Sequence, residues 1–460
     1  MSLQDYNQKY IQMTQTPVEQ LILRLAGPSI VTMLVTSFYN MADTFFISQI
    51  STAASGAVGV AFPVMALIQA LGFFFGQGSG AGLSQALGSR DEARARELSN
   101  VGFFSTLLCA SLLALLAYFF LRPLIFLLGA TDTIYPHCAA YLRLILLGAP
   151  LMAGSFVLNN LLRYQGNSYL GMVGIGIGAL LNILLDPILI FGLELGIAGA
   201  ALATVASQAV GFGLLIFLCN TRSGIPISLR FFHPSALHYQ TITRSGVPAL
   251  LRQSVASISV MILNVCAHPF GDAAIAAMAI VGKIAHFSSS VMLGFGQGFQ
   301  PVCGYNYGAK LYDRVKRGYF FCVRSSFLVL AGFSVVEFFF AHEIIGVFRR
   351  GDAQVIAIGA TALRLQCLTL VCSSVIIPSN MLLQVTGRMV PASLIGAARQ
   401  GLFLIPLLFL LTEWMGIPGL QMAQPLADIC ALLLTLPLVL PFLSRLDDPF
   451  ERMPGAKTKH

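Results

Sequence analysis

Long apolar runs recur along the whole chain, and they restrict its fold more than any other feature. Each run is about 20 residues or longer, which is enough for a helix to cross a bilayer core of ~30 Å. Only 10% of the 460 residues are charged, against roughly 25% in an average soluble domain. Backbone amides in lipid need internal hydrogen bonds, and the alternating polarity of a transmembrane β-barrel is missing. We therefore predict an all-α integral membrane protein.

The apolar runs predict twelve membrane-spanning helices. Their ranges are 21–48, 55–84, 99–121, 135–161, 168–192, 196–220, 244–268, 274–300, 317–341, 354–385, 391–412 and 418–444. The most polar long connection, 221–243, is the predicted cytoplasmic linker between an N-terminal lobe, 1–220, and a C-terminal lobe, 244–445. Residues 446–460 form a predicted cytoplasmic tail.

A repeat relates the two halves of the chain. The sequence Phe-Gly-Gln-Gly occurs at Phe75–Gly78 and again, nearly half a chain later, at Phe295–Gly298. The same spacing, which we call the repeat offset, places Gly88 on Gly308, and each of these glycines opens a charged loop. Related halves in so apolar a chain are typical of transporters, many of which move one half against the other around a shared cavity. We therefore predict two pseudo-symmetric lobes of six helices.

Basic residues concentrate in alternate loops, which predicts the orientation of the chain. The loops after the even-numbered helices hold Arg90, Arg94, Arg96, Arg163, Arg222, Arg230, Lys310, Arg314, Lys316, Arg317 and Arg388. The opposite loops hold Arg122, Arg349 and Arg350. By the positive-inside rule, eleven basic residues against three place both termini in the cytoplasm. This bias also explains the net charge of +8 without a nucleic-acid partner.

Two carboxylates lie within predicted spans of the first half, Asp43 on the first helix and Asp186 on the fifth. A charge at the bilayer centre costs roughly 2.5–3.5 kcal/mol on insertion scales, so such a residue usually faces a cavity and has a function. At about 1.5 Å per residue, these aspartates and Thr204 of the sixth helix reach similar depths in the outer leaflet. Tyr39 and Asn182 precede the aspartates by four residues and share their helix faces.

These residues predict a binding site for a coupling ion. An apolar site favours the neutral form of a carboxylate, which can therefore take a proton from the outer side. Protonation would change the hydrogen bonds among Asp43, Asn182, Asp186 and Thr204 and bias a bent first helix. Oxygen ligands of this kind also suit a hard cation, so sodium at Asp43 and Asp186 is an alternative. A purely structural role as hydrogen-bond anchors is the other alternative.

The second half does not repeat this arrangement. Its spans carry the basic residues Lys283, Arg364 and Arg399. We expect Asp428 to pair with Lys283 or Arg399 in a structural role. Arg252 lies near the cytoplasmic end of its helix, from which its head group can reach water. Glu337 and Glu413 lie near the outer helix ends, where we expect them at the membrane interface.

Aromatic and methionine side chains on the spans predict the lining of a substrate cavity, because they adapt to varied apolar ligands and can hold cations over their rings. The candidates are Tyr39, Met41, Met65, Tyr141, Met261, Met278 and Met292. The alternative for each of them is an ordinary packing or lipid-facing role.

Several motifs of this chain occur together in one known family. They are Tyr39–Thr44, the two Phe-Gly-Gln-Gly copies, Asn182-x-x-x-Asp186-Pro187, Gly199–Thr204 and Pro301–Ala309. Over nearly its whole length the chain thereby resembles the multidrug and toxic compound extrusion (MATE) family, in its bacterial multidrug-efflux branch. The resemblance implies a V-shaped pair of lobes in the bacterial cytoplasmic membrane and export of organic, often cationic, small molecules in exchange for protons or sodium.

The resemblance also implies roles for individual residues. The coupling-ion site would consist of Asp43, Asn182, Asp186 and Thr204, and the first-lobe cavity would include Tyr39, Tyr141 and Asn159. Some members have a second-lobe cation site built on acids of helices 7 and 10. This chain lacks both of these acids. No cofactor is implied, and the expected partners are small-molecule substrates and membrane lipids, with the protein acting as a monomer.

Three other functions are alternatives to multidrug export. A lipid or lipid-linked glycan flippase of the same superfamily would use the basic residues of the second half, but the acidic pair of the first half argues against it. An enzyme is not expected, because the chain has no Ser/His/Asp constellation and no phosphate-binding Gly-Lys-Ser/Thr loop. The nine cysteines are scattered without metal-binding spacing, so we expect free thiols and no metal. No repeated selectivity filter indicates a channel.

Overall fold

A computed structural model describes residues 3–348 and 352–446 of the chain. Within these residues, twelve helices are long and apolar enough to cross a membrane, which confirms the predicted number. Arg349 and Arg350 of the predicted outer loops lie outside the described residues, as does the predicted tail from residue 447 onward.

The first half of the chain contains eight helices. They are α1 Leu3–Gln15, α2 Val18–Ser48, α3 Thr52–Gly88, α4 Glu92–Phe119, α5 Leu121–Leu127, α6 Tyr135–Tyr164, α7 Ser168–Pro187 and α8 Gly196–Thr221. A π-helical turn, Ile188–Gly192, continues α7 directly after Pro187. Proline lacks an amide hydrogen, which interrupts the regular hydrogen-bond pattern at this point. The spans of this half are α2, α3, α4, α6, α7 with its turn, and α8.

The second half contains nine α-helices within residues 236–348 and 352–446. They are α9 Ala236–Ala267, α10 Asp272–Gly308, α11 Tyr312–Phe339, α12 Ala341–Phe348, α13 Ala353–Leu370, α14 Ser373–Val385, α15 Met389–Ala397, α16 Leu404–Met415 and α17 Ile417–Arg445. The tenth predicted span, 354–385, is therefore broken into α13 and α14. The eleventh consists of α15, a π-helical turn at Ala398–Leu402, and α16.

The helices extend beyond their predicted ends where the sequence is charged. α4 begins at Glu92 rather than 99, because the Asp91 side chain accepts a hydrogen bond from the Arg94 amide at 3.0 Å. α9 begins at Ala236, inside the predicted linker 221–243, and Ser235 caps it by accepting from the His238 amide at 3.3 Å. Hydropathy marks only the membrane-embedded part of a helix, so it misses polar turns that continue into water.

The repeat is visible in the helix bounds. The first and last residues of α3 are separated from those of α10 by the repeat offset, and the same holds for α4 and α11. The turn after each of the first pair contains a residue with positive φ, Arg90 at 61° and Lys310 at 59°, and these two residues are related by the same offset. This agreement confirms two pseudo-symmetric lobes.

The lobes meet where α3 and α10 end, which we call the closed end. A Cβ atom added at Gly88 would overlap the Tyr305 carbonyl oxygen, and one added at Gly308 would overlap the Gln85 carbonyl oxygen. Small residues allow this close backbone approach, as in other membrane helix pairs. Gln85 Nε2 also donates a hydrogen bond to the Val385 carbonyl oxygen of the other lobe.

The short helix α1 also joins the two lobes at the closed end. Lys9 Nζ donates to the Gly166 carbonyl oxygen of the first lobe at 2.9 Å. From the second lobe, Asn306 Nδ2 donates to the Met13 carbonyl oxygen at 3.1 Å and Arg314 donates to that of Thr16 at 2.6 Å. Burial, together with the nearby charge of Arg24, lowers the pKa of Lys9 to about 8.

The apolar core is shared at the closed end and divided at the other end. One cluster of buried side chains includes Leu25 of α2 and Phe299 of α10, so it spans both lobes. A second cluster, around Ile68 and Ile145, comes from the first lobe alone. A third, around Ile284, comes from the second lobe alone. The lobes therefore diverge from the closed end towards the opposite one, which we call the open end.

The glycine contact at the closed end predicts an effect on stability. Gly308→Ala should lower the thermal midpoint of the purified protein, because overpacking typically costs about 1–3 kcal/mol. Gly59→Ala is the matched control within α3, since nothing lies within 4 Å of its Cβ position. Thermal unfolding followed by size-exclusion fluorescence measures both variants. Equal midpoints for the two would mean that the lobes do not depend on this contact.

Candidate ion site and substrate cavity

The structure brings together the four residues predicted to bind the coupling ion. α2 packs along α7, and α7 packs along α8. Asp43, Asn182, Asp186 and Thr204 are all buried in this region, with Asp43 8% exposed and Asp186 fully buried. Asn182 Nδ2 donates to Asp186 Oδ1 and to Thr204 Oγ1, each at 3.4 Å. The two carboxyl groups lie close enough to interact electrostatically.

Three oxygen atoms of this group are buried without a hydrogen-bond partner among the described residues. They are Asp43 Oδ1, Asn182 Oδ1 and Asp186 Oδ2. A buried polar atom without a partner carries an energetic penalty of about 1–3 kcal/mol, and more if the group is charged. A proton or a small hard cation would satisfy such oxygens, so the donor set fits either ion. Among the described residues, no grouping of three or more His, Cys, Asp and Glu side chains suits a metal ion.

Tyr39 belongs to the same region, together with Gln208, which the sequence analysis did not predict. Tyr39 precedes Asp43 by four residues on α2, so the two side chains share one helix face. Its hydroxyl group contacts the side chain of Gln208 on α8. Gln208 follows Thr204 by four residues, so the helical spacing that linked Asn182 with Asp186 would have found it.

The predicted cavity residues are distributed over different environments. In the first lobe Tyr141 is fully buried, and its hydroxyl donates to Met65 Sδ at 3.6 Å. Met41 and Met261 are more than half exposed. Met278 and Met292 are buried in apolar clusters of the second lobe, and their role in a substrate cavity stays a prediction.

Asn159 is half-buried in α6, and its side-chain oxygen lies against Gly171 of α7. A Cβ atom added at Gly171 would overlap that oxygen. Asn159 thus lies at a tight contact between two helices of the first lobe.

In the second lobe Asp428 pairs with Arg399, one of its two predicted partners. Arg399 Nε donates to Asp428 Oδ1 at 2.7 Å, and the Asp428 side chain is fully buried. Gln424 Nε2 donates to the same carboxylate oxygen at 2.8 Å, and Thr369 donates to the other oxygen at 3.4 Å. The ion pair is therefore part of a buried hydrogen-bonded network.

The other basic residues of this lobe have different environments. Lys283 and Arg364 are exposed, and Arg364 Nε donates to the Phe338 carbonyl oxygen at 3.3 Å. Arg252 is half-buried, and its Nη1 donates to Asn380 Oδ1 at 2.9 Å, between α9 and α14.

Glu337 also differs from its predicted environment, whereas Glu413 is exposed. The expectation of an interfacial Glu337 is wrong, because its side chain is only 7% exposed. Its Oε1 accepts a hydrogen bond from Ser288 at 2.6 Å, and its Oε2 accepts one from the Cys367 thiol at 3.7 Å. Distance from a helix end could not reveal that α10 and α13 cover this part of α11.

The chain has twelve spans in two pseudo-symmetric lobes, which share a core at the closed end and have separate cores towards the open end, and a buried oxygen cluster in the first lobe. These features define a two-lobe membrane transporter. The model of the MatE family matches residues 28–188 and again residues 248–410, once in each half. The chain belongs to the MatE family, the MATE transporters.

Curated relatives cover almost the same length as this chain. The multidrug export protein MepA of Staphylococcus saprophyticus is 27% identical over 414 residues, which are 89% of this chain and 91% of the relative. MepA of Staphylococcus aureus is 25% identical over 424 residues, 91% and 93% of the two chains.

Solved structures share the fold. One described as the outward-facing conformation of a multidrug resistance MATE family transporter has a TM-score of 0.89 at 24% identity, covering 95% of this chain and 98% of that one. A MOP superfamily transporter from Pyrococcus furiosus has a TM-score of 0.86 at 24% identity, with the same coverage. A MATE structure in a straight conformation has a TM-score of 0.90 at 23% identity, covering 95% and 98%.

The buried ion pair of the second lobe predicts a stability effect. Asp428→Asn should lower the thermal midpoint strongly, because removing one partner of a buried pair typically costs about 3–5 kcal/mol. The double variant Asp428→Asn with Arg399→Gln removes both charges and should recover part of the loss. A double-mutant cycle on thermal midpoints measures the coupling. Additive effects of the two substitutions would contradict a structural pair.

Proposed function

We propose that this protein exports organic, amphipathic and typically cationic compounds across the bacterial cytoplasmic membrane in exchange for protons. Membership of the MATE family and the similarity to MepA multidrug export proteins support the export of several compounds. The observation that carries the proton-binding part is the set of three buried, unpartnered oxygens on Asp43, Asn182 and Asp186.

A proton bound at this site would change its hydrogen bonding and its charge together. On either aspartate it converts an acceptor oxygen into a donor, which can satisfy a neighbouring unpartnered oxygen. It also removes one of two carboxylate charges in a poorly hydrated region. Binding from one side and release to the other would couple substrate export to the membrane potential, which supplies about 2.3 kcal/mol per charge at 100 mV.

Helix α2 offers a route from this site to the interface between the lobes. Asp43 lies in one half of α2, while Ala26 and Ile30 in the other half contact Gly298 and Gly294 of α10 in the second lobe. Pro28 lies between these contact residues and removes one backbone hydrogen bond, which makes a bend there less costly. A change in hydrogen bonding at Asp43 can thus alter the bend of α2, the helix that packs against α10 of the second lobe.

Sodium remains the alternative coupling ion at Asp43 and Asp186. The site provides two carboxylates, an amide oxygen and a hydroxyl, which are hard ligands. We favour the proton because a proton on either aspartate both removes a buried charge and supplies a donor for a neighbouring unpartnered oxygen.

The distribution of charge supports a cytoplasmic closed end. The loops that begin at Ser89 and Ala309, directly after the glycine contact, carry Arg90 and Lys310 among the eleven basic residues of that side. By the positive-inside rule this side faces the cytoplasm. The termini would then be cytoplasmic, and the open end would face the outside of the cell.

We do not propose a flippase function for this protein. A flippase would use the basic residues of the second lobe, but Arg399 is paired with Asp428 in a buried network, and the MepA relatives are multidrug export proteins. The proposed activity is the export of small molecules by a monomer, without a catalytic reaction.

Efflux of a fluorescent cation from proteoliposomes tests proton coupling. Asp186→Asn should abolish efflux driven by a pH gradient, because the amide cannot bind a proton in this range. Glu413→Gln, which alters an exposed acid of the second lobe, should behave like the parent. If the parent works with a sodium gradient but not with a pH gradient, the ion is sodium. Full activity of Asp186→Asn would contradict its role.

Labelling of single cysteines tests the orientation. In a variant without native cysteines, Ser89→Cys lies at the closed end and Thr131→Cys at the open end, and both positions are exposed. A membrane-impermeant maleimide should label Thr131→Cys in intact cells and Ser89→Cys only after permeabilisation. The reverse pattern would invert the proposed orientation.

A further inference from the structure

Three helices of the second lobe bring Glu337 together with two neutral partners. Glu337 lies on α11, Ser288 on α10 and Cys367 on α13. The Ser288 hydroxyl is 2.6 Å from Glu337 Oε1, and the Cys367 sulfur is 3.7 Å from Oε2. All three side chains are buried. The ion site of the first lobe does not include any of them.

Buried apolar side chains flank the three polar residues along their helices. Met292, Leu330 and Leu370 form a small buried cluster, and they lie one or two turns from Ser288, Glu337 and Cys367 on the same three helices. Ile284 and Leu363, each four residues before its helix's polar partner, belong to the larger cluster of the second lobe. The surroundings are therefore of low polarity, in which an ionised carboxylate is costly unless a cation compensates it.

No such cation is found among the described residues. No nitrogen of a Lys, Arg or His side chain in residues 3–348 and 352–446 lies within 4.0 Å of the Glu337 carboxylate. The acidic, basic and histidine side chains on the helices packed against α11 are Asp272, Lys283 and His286 on α10, Arg364 on α13, His342 and Glu343 on α12, and Glu19, Arg24 and Asp43 on α2. α14 contributes none, and the other charged groups of α11 lie between Asp313 and Arg324.

The internal repeat shows that the fold does not require this polar group. The helices α4 and α11 correspond at the repeat offset, as do α3 and α10. The first-lobe position that matches Glu337 is Ala117, and the position that matches Ser288 is the fully buried Ile68. An apolar pair therefore packs the same scaffold, so the acid needs another explanation.

We propose that Glu337, together with Ser288 and Cys367, forms a proton-binding site in the second lobe, separate from the aspartates of the first lobe. In the conformation described here the carboxyl group is protonated. The Ser288 hydroxyl donates to Oε1 and the Cys367 thiol donates to Oε2, and the bound proton removes the carboxylate charge for which no nearby cation compensates. A thiol is a soft ligand and suits a hard cation such as sodium poorly, so the donor set selects the proton.

Infrared difference spectroscopy tests the site without substrate or gradient, so its outcome does not depend on the proposed export activity. The acid-minus-alkaline spectrum of the full-length protein in lipid should contain a protonated-carboxyl C=O band that Glu337→Gln lacks. Glu413→Gln, the exposed control, should retain it. Because Asp43 and Asp186 also contribute, the Glu337 component is the difference between the parent and Glu337→Gln.

Two further variants keep the acid and change only its partners. Ser288→Ala and Cys367→Ala should shift the frequency of the Glu337 band, since each removes one hydrogen bond to the carboxyl group. These variants also provide the test if Glu337→Gln does not fold. Identical spectra of the parent and Glu337→Gln, or no shift in either partner variant, would overturn the proposal. Loss of the band on adding sodium chloride at constant pH would overturn the choice of the proton.

Discussion

The close approach of two helix backbones at the closed end is the constraint on which the rest of the structure depends. α3 and α10 can touch there only because Gly88 and Gly308 have no side chains, and each meets a carbonyl oxygen of the other helix. Lipid chains are as apolar as the helices, so tight packing and interhelical hydrogen bonds rather than the hydrophobic effect must hold the lobes together. Contacts concentrated at one end of two symmetric lobes leave their other ends free to separate.

The same scaffold carries different chemistry in its two lobes. The first lobe leaves three carboxylate and amide oxygens unpartnered. In the second lobe the buried acid Asp428 is paired with Arg399, and the buried acid Glu337 has two neutral partners. A buried carboxylate is tolerated only when a cation, a proton or several donors satisfy it. The buried acids of the two lobes therefore have three different kinds of surroundings, which a symmetric pair of sites could not provide.

Much of the fold could be predicted from the sequence, because apolar length and the internal repeat can be read along the chain without knowing how it packs. The grouping of Asp43, Asn182, Asp186 and Thr204 could also be predicted, since helix spacing and depth suffice when each helix crosses the membrane once. The burial of Glu337 could not, because it depends on how α10 and α13 pack against α11. The helix ends in charged segments could not be predicted for a related reason. Capping by Asp91 and Ser235 extends a helix without making its sequence more apolar.

The repeated glycines have a consequence for how such a chain can vary. Gly88 and Gly308 meet each other's helices in the same way, so a larger residue at either position disturbs one shared surface. Tolerance to substitution should therefore rise and fall together at equivalent positions of α3 and α10. The two halves are constrained as a matched set where they touch, whereas positions such as Glu337 and Ala117, away from that surface, are free to diverge and to acquire separate roles.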